Sequence, residues 1–382
     1  MRVLILGGDG YLGWPTAMHL SAQGCEVGVV DSYLRRRLAR EEDVEPLYEV
    51  PNLQARIRRW SGYSGRTLWA AVGDLLDWEF VARVFREFQP EAIVHYAEQP
   101  SAPYSMLRRQ AADLTLHNNL GVTANVIHAI REFCPQVHLI KLGTMGEYGT
   151  PDIDIEEGWL QIHHQGRSDR FLFPRQAGSL YHSTKIMDTD LLWFYVRIWG
   201  LRVTDLMQGP VYGVFTDENE GDEALLPFFS YDELFGTVLN RFVVQAVAGV
   251  PLTVYGKGGQ TRGYLNIRDT LNCVRLSLEN PPGAGELRIF NQFTETFTVN
   301  DLAQRVQRVG QAMGLPVTVQ HLPNPRVEKE EHYYNPRHTG LLELGLQPHF
   351  LTDAVLQQLL AFVVCHQDRI DHHKIFRGTT WA

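Results

Sequence analysis

The first 31 residues, MRVLILGGDGYLGWPTAMHLSAQGCEVGVVD, carry the pattern that decides the fold. Val3–Leu6 is a short apolar run that ends in glycines, which is typical of a buried parallel strand. Apolar residues then continue at helical spacing until Gly24. A second apolar run, Glu26–Val30, follows and ends at Asp31. The segment therefore predicts a β-α-β unit, the building block of a parallel sheet.

The same alternation continues along the chain. Helical stretches separate four further predicted strands, which are Leu68–Val72, Ala92–Tyr96, His138–Leu142 and Leu201–Asp205. This order predicts an α/β protein with a Rossmann-type, doubly wound parallel sheet. Beyond it, proline, glycine and loop-like segments become more frequent. We therefore predict a dinucleotide-binding unit over residues 1–206 and a smaller, mixed α/β substrate-binding region over 207–382, interleaved with the last strands of the sheet.

Length and charge exclude several classes of protein. The 382 residues include 35 basic and 44 acidic side chains, which give a net charge of −9, and 44% of the residues are hydrophobic. This balance is typical of a globular enzyme and argues against a partner that is nucleic acid or an anionic membrane surface. Polar residues interrupt every apolar run well before the roughly 18 residues that a membrane helix needs.

The cysteines and histidines predict neither a disulfide framework nor a metal site. The four cysteines are far apart and form no C-x-x-C motif: Cys25, Cys134, Cys273 and Cys365. Such usage is typical of a reducing compartment. The pairs His163-His164 and His372-His373 lack the i, i+4 spacing of a helical zinc site. The apolar run after Arg2 is too short for a signal peptide, so we expect a cytoplasmic protein.

A glycine motif follows the first strand. Gly7, Gly10 and Gly13 form G-x-x-G-x-x-G, which allows a tight turn, close approach of a pyrophosphate and close packing of the next helix. A carboxylate at Asp31 can accept hydrogen bonds from the adenosine ribose and repels a 2′-phosphate, so we predict NAD; the nearby Arg35–Arg37 leave NADP open as an alternative. The predicted cofactor-binding residues of this part of the chain are Gly7, Gly10, Tyr11, Leu12, Gly13, Asp31 and Asp74.

The second motif is Tyr181-x-x-x-Lys185. In a helix, i, i+4 spacing places both side chains on one face. The ammonium of Lys185 is expected to lower the pKa of Tyr181 and make it a general base for an alcohol, while both residues also contact the cofactor. Thr144, at the end of the strand that begins at His138, completes the Ser/Thr, Tyr and Lys triad. Together these features resemble the extended short-chain dehydrogenase/reductase superfamily, most of whose members act on nucleotide sugars.

A narrower resemblance rests on longer stretches. EQPSAPYS, KLGTMGEYGTPDIDIEEG, YHSTK, YGKGGQTRGYLNIRDT and FNQFTE resemble the UDP-sulfoquinovose synthase family over residues 1 to about 370. The resemblance implies an NAD-dependent enzyme that joins UDP-glucose and sulfite through 4-keto and 4-keto-5,6-ene intermediates. Sugar 4,6-dehydratases carry an Asp-Glu pair after the catalytic Thr; here Met145 and Gly146 occupy those positions, and the carboxylate is displaced to Glu147.

Further residues are candidates for the reaction. His182 and Glu147 are predicted to move protons at the sugar C5 and C6, although each has a structural role as its alternative. The predicted substrate-binding residues are Gln99, Ser101, Tyr104, Thr144, Gln208, Arg262 and Arg326, of which the two arginines would grip the diphosphate. Met207 stands where the family has an asparagine, beside the expected sugar pocket.

Two alternatives to this reaction stay open. The first is a UDP-hexose dehydratase or 4-epimerase that adds no sulfite. The second is an NAD-binding scaffold without activity, which the presence of Thr144, Tyr181 and Lys185 disfavours. We expect a homodimer. No motif for sulfite is readable, so a protein partner that delivers sulfite is also left open.

Overall fold

The computed structural model describes residues 1–324 and 332–376, in which strands and helices alternate. The strands are β1 (Arg2–Leu6), β2 (Glu26–Asp31), β3 (Trp69–Val72), β4 (Ala92–His95), β5 (His138–Thr144), β6 (Trp159–His164), β7 (Arg167–Leu172), β8 (Arg202–Gln208), β9 (Val211–Tyr212), β10 (Leu252–Tyr255), β11 (Thr261–Asn266), β12 (Glu286–Gln292), β13 (Glu295–Thr298) and β14 (Val319–Leu322). The α-helices are α1 (Gly13–Ala22), α2 (Leu34–Glu41), α3 (Leu53–Ser64), α4 (Trp78–Phe88), α5 (Ala102–Ser105), α6 (Arg109–Phe133), α7 (Leu180–Trp199), α8 (Val238–Ala248), α9 (Ile267–Glu279), α10 (Val299–Ala312), α11 (Gly340–Glu343), α12 (Asp353–Cys365) and α13 (His372–Phe376).

Seven parallel strands form the central sheet, in the order β12-β8-β5-β4-β1-β2-β3. The chain builds outward from β1 in both directions, so the predicted doubly wound sheet is confirmed. The strand order reverses between β1 and β4, and the crevice beyond the carboxyl ends at such a point is where ligands bind. Each of the six predicted strands is present, with ends shifted by three residues at most.

The sheet is buried on both faces, which is why its strands read as continuous apolar runs. Along β1, Val3 and Ile5 pack on one side against α1, α3 and α9. Leu4 and Leu6 point to the other side and pack with residues of α4, α6 and α7. This alternation follows from the two-residue period of a strand.

The C-terminal region has a core of its own but shares the sheet. Helices α8, α10 and α12 pack around residues of β10 and neighbouring segments. The predicted boundary between residues 206 and 207 falls inside β8, and β12 returns to the central sheet beside β8. A strand that follows residue 207 in the chain thus belongs to the central sheet. Among the described residues, no helix has both the length and the apolar character needed to cross a bilayer.

Candidate active site

A cavity of about 470 Å³ lies at the carboxyl ends of the central strands. Its walls are the glycine turn after β1, the ends of β2, β5 and β8, the start of α7, and a segment that we call the strap, residues 226–237. A larger hollow of about 770 Å³ lies between α2 and residues 45–51. That hollow contains none of the predicted site residues, so we take the smaller cavity as the active site.

The glycine turn has a geometry that requires glycine at two positions. Gly7 has φ +83°, and a Cβ there would lie 2.8 Å from the carbonyl carbon of Tyr96. A Cβ on Gly13 would lie 2.0 Å from the carbonyl oxygen of Gly7. The absence of side chains lets α1 begin directly against the end of β1, with its N-terminus at the cavity. Backbone N–H groups at such a helix start suit a pyrophosphate.

Asp31 ends β2 at the cavity. Its carboxylate accepts backbone N–H groups from Asp9 (2.9 Å) and Tyr33 (2.7 Å). Burial, and next the nearby carboxylate of Asp9, raise the pKa of Asp31 to about 6. Arg36 grips Asp9 through two nitrogens, at 2.6 and 2.8 Å, so its guanidinium is already paired with a carboxylate. The carboxylate at Asp31 and the paired Arg36 fit NAD rather than NADP.

Three further residues predicted to bind the cofactor, Tyr11, Leu12 and Asp74, line the same cavity. The Tyr11 hydroxyl donates to the carbonyl of Gly213 at 2.6 Å, which ties the glycine turn to the C-terminal region. The Asp74 carboxylate accepts the N–H of Leu76 at 2.9 Å and so is fixed by its own turn.

Thr144, Tyr181 and His182 also open into this cavity. Thr144 is the last residue of β5, and α7 begins one residue before Tyr181. The hydroxyl of Ser179 caps α7 by accepting the N–H of His182 at 3.2 Å. The His182 ring lies directly over Gly146, where a Cβ would come within 2.3 Å of Nε2. The end of β5 and the start of α7 therefore bring three of the predicted catalytic side chains to the cavity that the glycine turn also lines.

Lys185 lies behind Tyr181, with its Nζ 5.9 Å from the centre of the Tyr181 ring. The ammonium donates to the carbonyl of Leu142 at 2.6 Å and pairs with the Glu98 carboxylate at 2.7 Å. Burial, and next the charge of Glu98, raise the pKa of Tyr181. This direction is opposite to the predicted one, because desolvation disfavours the charged phenolate and the carboxylate of Glu98 adds to that effect.

Glu147 does not line the cavity and is fully buried. Its Oε1 accepts the backbone N–H of Thr144 at 3.1 Å. Its two oxygens also face Lys141 at 3.6 Å and Arg175 at 3.3 Å. The assignment of Glu147 as a proton-transfer group for the sugar is therefore corrected: its contacts are those of a structural carboxylate. His182 is the remaining predicted acid/base that borders the cavity.

The residues predicted to bind substrate divide into two groups. Ser101 and Gln208 line the cavity. Gln99 is fully buried and its amide donates to the Ser101 carbonyl and to Thr115, and Tyr104 packs against Phe235. Substrate contact by Gln99 and Tyr104 is thus corrected, since both are core residues.

Two arginines complete the set of predicted substrate-binding residues. Arg262 is not among the lining residues and lies 3.0 Å from His332 Nε2. Arg326 lies outside the described residues. Met207 is fully buried beside Gly143 rather than at the sugar pocket. Its expected effect on the pocket is therefore corrected to a core contact.

Sequence reasoning missed two features that the structure brings to the site. Glu98 lines the cavity and pairs with Lys185; a carboxylate directly after a predicted strand was the available signal. The strap forms one wall, and Leu234 of the strap accepts a hydrogen bond from the Ser101 hydroxyl. Across the described ranges, no three His, Cys, Asp or Glu side chains are grouped to hold a metal ion.

Comparison with known proteins agrees with this geometry. Residues 3–291 match the model of the NAD dependent epimerase/dehydratase family, and the chain belongs to that family. The solved UDP-glucose 4-epimerase of Bifidobacterium longum, in complex with NAD⁺ and UDP, superimposes with a TM-score of 0.72. The match covers 97% of this chain and 100% of that one at 17% identity, so it shows the shared fold.

Closer relatives define the branch. Chloroplastic UDP-sulfoquinovose synthase of Spinacia oleracea is 52% identical over 380 residues, which cover 100% of this chain and 79% of that protein. UDP-sulfoquinovose synthase of Sulfolobus acidocaldarius is 42% identical over 384 residues, covering 100% of this chain and 98% of that protein. Within the larger family, the chain is therefore a member of the UDP-sulfoquinovose synthase family.

Proposed function

We propose that this enzyme joins UDP-glucose and sulfite to form UDP-sulfoquinovose, with NAD⁺ regenerated in each turnover. The observation that carries the proposal is that the glycine turn, Asp31 and the side chains of Thr144, Tyr181 and His182 open into one cavity. The glycine turn and the acid/base groups thus border the same cavity. The chain that carries them belongs to the UDP-sulfoquinovose synthase family.

The cofactor is held by residues at the start of the chain. The N–H groups at the start of α1 face the pyrophosphate, and Asp31 accepts hydrogen bonds from the adenosine ribose. Gly7 and Gly13 leave the room that this approach needs. When bound there, NAD⁺ would supply the hydride acceptor for oxidation of the sugar C4 and the hydride for its later reduction.

Thr144 and Tyr181 act on the C4 hydroxyl. Tyr181 takes its proton, and the hydroxyl of Thr144 holds the same oxygen through a hydrogen bond. The phenolate is the form of Tyr181 that accepts this proton, and the ammonium of Lys185, 5.9 Å from the centre of the ring, favours that form against the opposing charge of Glu98. Because Tyr181 receives one proton on oxidation and returns it on reduction, the C4 chemistry needs no net proton exchange with solvent.

Protons at C5 and C6 are moved by His182. Once C4 is a ketone, the C5 hydrogen is acidic because the carbanion is delocalised into the carbonyl. His182 takes that proton and delivers one to the C6 hydroxyl, which leaves as water and gives the 4-keto-5,6-ene. Hydrogen sulfite then forms the C6–S bond through its sulfur lone pair, and the proton that it brings passes through His182 to C5 before C4 is reduced.

The substrate is proposed to contact residues on the cavity wall and arginines beyond it. Ser101 and Gln208, which line it, are proposed contacts of the sugar. Arg262 and Arg326 are proposed to bind the diphosphate, whose two charges suit guanidinium groups. Sulfite is taken either free or from a protein that delivers it, and the four unpaired thiols of the chain suit a reducing, cytoplasmic compartment.

We further propose that the protein is a homodimer. On α7, Met187, Phe194 and Ile198 are 45–52% exposed and recur at the spacing of one helix face. Helices α6 and α7 pack side by side, so this apolar stripe lies on a broad two-helix surface. A second copy of the chain presents the same stripe, which suits a two-fold contact.

The test is incubation of the purified protein with UDP-glucose, with and without sulfite, followed by mass analysis of the nucleotide sugar. The expected product with sulfite is a UDP-hexose in which a sulfonate replaces the C6 hydroxyl. UDP-galactose or a dehydrated sugar, unchanged by sulfite, would instead identify a 4-epimerase or dehydratase. Tyr181→Phe serves as the inactive control.

A further inference from the structure

A cluster of charged side chains is sealed between β5, β8 and α7, next to the cavity but not open to it. We call Lys141, Glu147, Arg175 and Asp205 the buried cluster; their side chains are 0–4% exposed. It holds two positive and two negative groups. Charges in a protein interior require such partners, because their desolvation is costly.

Lys141 is at the centre of this cluster. Its Nζ donates to the backbone carbonyl of Lys185 at 3.2 Å and to the Thr189 hydroxyl at 3.0 Å. The same nitrogen lies 3.6 Å from Glu147 Oε1 and 3.5 Å from Asp205 Oδ2. Thr189 in turn donates to Asp205 at 2.6 Å. One ammonium thus connects the helix of the catalytic lysine to two buried carboxylates.

Glu147 connects Lys141 to Thr144. Its Oε1, which faces Lys141, also accepts the backbone N–H of Thr144 at 3.1 Å. Arg175 holds the other carboxylate oxygen at 3.3 Å, and the Glu147 carbonyl accepts the N–H of Gln176 at 3.0 Å. The position of Thr144 is therefore fixed relative to the loop before α7 as well as to α7 itself.

We infer that Lys141 is a positioning residue for the reaction. It sets the distance between the end of β5, which carries Thr144, and the turn of α7 that carries Tyr181 and Lys185. Replacing all the charges of such a cluster by apolar residues would often be neutral or stabilising, so stability alone does not account for the buried cluster. Removal of Lys141 alone would leave Glu147 and Asp205 without their shared cation. The inference rests on the proposed function only in that Thr144, Tyr181 and Lys185 carry the oxidation step.

The close approach of the two carboxylates to the backbone at Gly143 supports this role of Lys141. A Cβ at Gly143 would lie 2.5 Å from Asp205 Oδ1 and 3.1 Å from Glu147 Oε1. The strand must therefore lack a side chain where the two carboxylates approach it. Gly143→Ala would displace the carboxylates without removing a charge, and we expect it to lower kcat as Lys141→Met does.

The decisive experiment is Lys141→Met, which keeps the length of the side chain and removes the ammonium. We expect kcat for UDP-glucose to fall by about 10- to 100-fold, because a shift of about 1 Å in catalytic groups can reduce a rate 10²-fold. The KM for UDP-glucose and the NAD content should stay near wild type, since neither ligand contacts Lys141. The rate of NAD reduction, followed at 340 nm without sulfite, should fall with kcat.

A matched control lies on the same two strands. His138 and Thr204 form a buried hydrogen bond of 2.9 Å between β5 and β8 near the ends of these strands that lie away from the cavity. Thr204→Val removes that bond and should lower the melting temperature while leaving kcat unchanged. Lys141→Met with wild-type kcat, or with a loss no larger than that of Thr204→Val, would overturn the inference.

A second variant covers the case in which Lys141→Met does not fold. Lys141→Met/Glu147→Gln removes one charge of each sign, keeps an oxygen for the Thr144 N–H, and should fold. Reduced kcat at near-normal KM supports positioning, and wild-type kcat refutes it. If wild type forms no sulfonated product, the proposed function fails separately, and Lys141 is then judged on whichever UDP-hexose wild type oxidises.

Discussion

At the scale of single residues, Tyr181 is the proton acceptor of the proposed reaction. Tyr181→Phe keeps the ring that lies near Lys185 and removes only the hydroxyl, so the fold should be unchanged. Loss of a general base lowers rates by about 10² to 10⁴. We therefore expect a loss of kcat in that range with an unchanged melting temperature. Near-normal turnover by the folded variant would contradict the assignment.

Glu98 controls the protonation of the same tyrosine. After burial, its carboxylate is the largest cause of the raised pKa of Tyr181, and it pairs with Lys185 at 2.7 Å. Glu98→Gln removes the negative charge, so the pKa of Tyr181 should fall and the acidic limb of the kcat profile should move to lower pH. Glu91→Gln, just before the other end of β4, is the control. An unmoved limb in Glu98→Gln would show that Glu98 does not set this pKa.

At the scale of elements, we predict that the strap retains the cofactor, because its residues line the cavity. Three contacts anchor the strap. The Ser101 hydroxyl donates to the Leu234 carbonyl, and the backbone N–H of Leu47 donates to the Phe229 carbonyl. The Arg35 guanidinium lies 3.4 Å from the centre of the Phe235 ring. These contacts fix the strap as one wall of the cavity. A cofactor that is regenerated in every cycle does not need to be released, so we expect NAD to copurify with the protein.

Phe235→Ala should loosen the strap because it removes the ring between Arg35 and Tyr104. We expect the NAD content after dialysis to fall severalfold, since Phe235 is half-buried and its loss removes the packing that holds this part of the strap. Phe215→Ala is the control, because Phe215 packs against Phe362 away from the cavity. Equal NAD content in the two variants would show that the strap does not retain the cofactor.

At the scale of the whole molecule, the apolar stripe on α7 predicts the assembly. Phe194→Glu places a charge in the centre of the proposed contact, where its desolvation is unfavourable. We expect the dissociation constant of the dimer to rise about 100-fold, which analytical ultracentrifugation would measure. Leu342→Glu, at another exposed apolar position, should leave the dimer intact. A wild-type protein that is monomeric at micromolar concentration would contradict the proposal directly.

The sequence by itself determined the sheet and the cofactor loop, because both depend on local patterns. Strands buried on both faces are apolar without interruption, as in Val3–Leu6, and glycine is required wherever the backbone has no room for a Cβ, as at Gly13. The Tyr181 and Lys185 pair was equally readable, since i, i+4 spacing fixes the shared face of a helix. Thr144 was predictable because it ends a predicted strand.

Only the tertiary structure decided which polar side chains face the cavity and which face the core. The side chain of Glu147 points into the core because it forms ion pairs there with Lys141 and Arg175, which belong to other segments of the chain. The side chain of Gln99 faces the core because its amide donates hydrogen bonds to residues that are close to it in space, including Thr115 on α6. The pKa of Tyr181 rises rather than falls because burial and the charge of Glu98 outweigh the opposing charge of Lys141. Each outcome depends on contacts and desolvation that arise only when separate elements pack together.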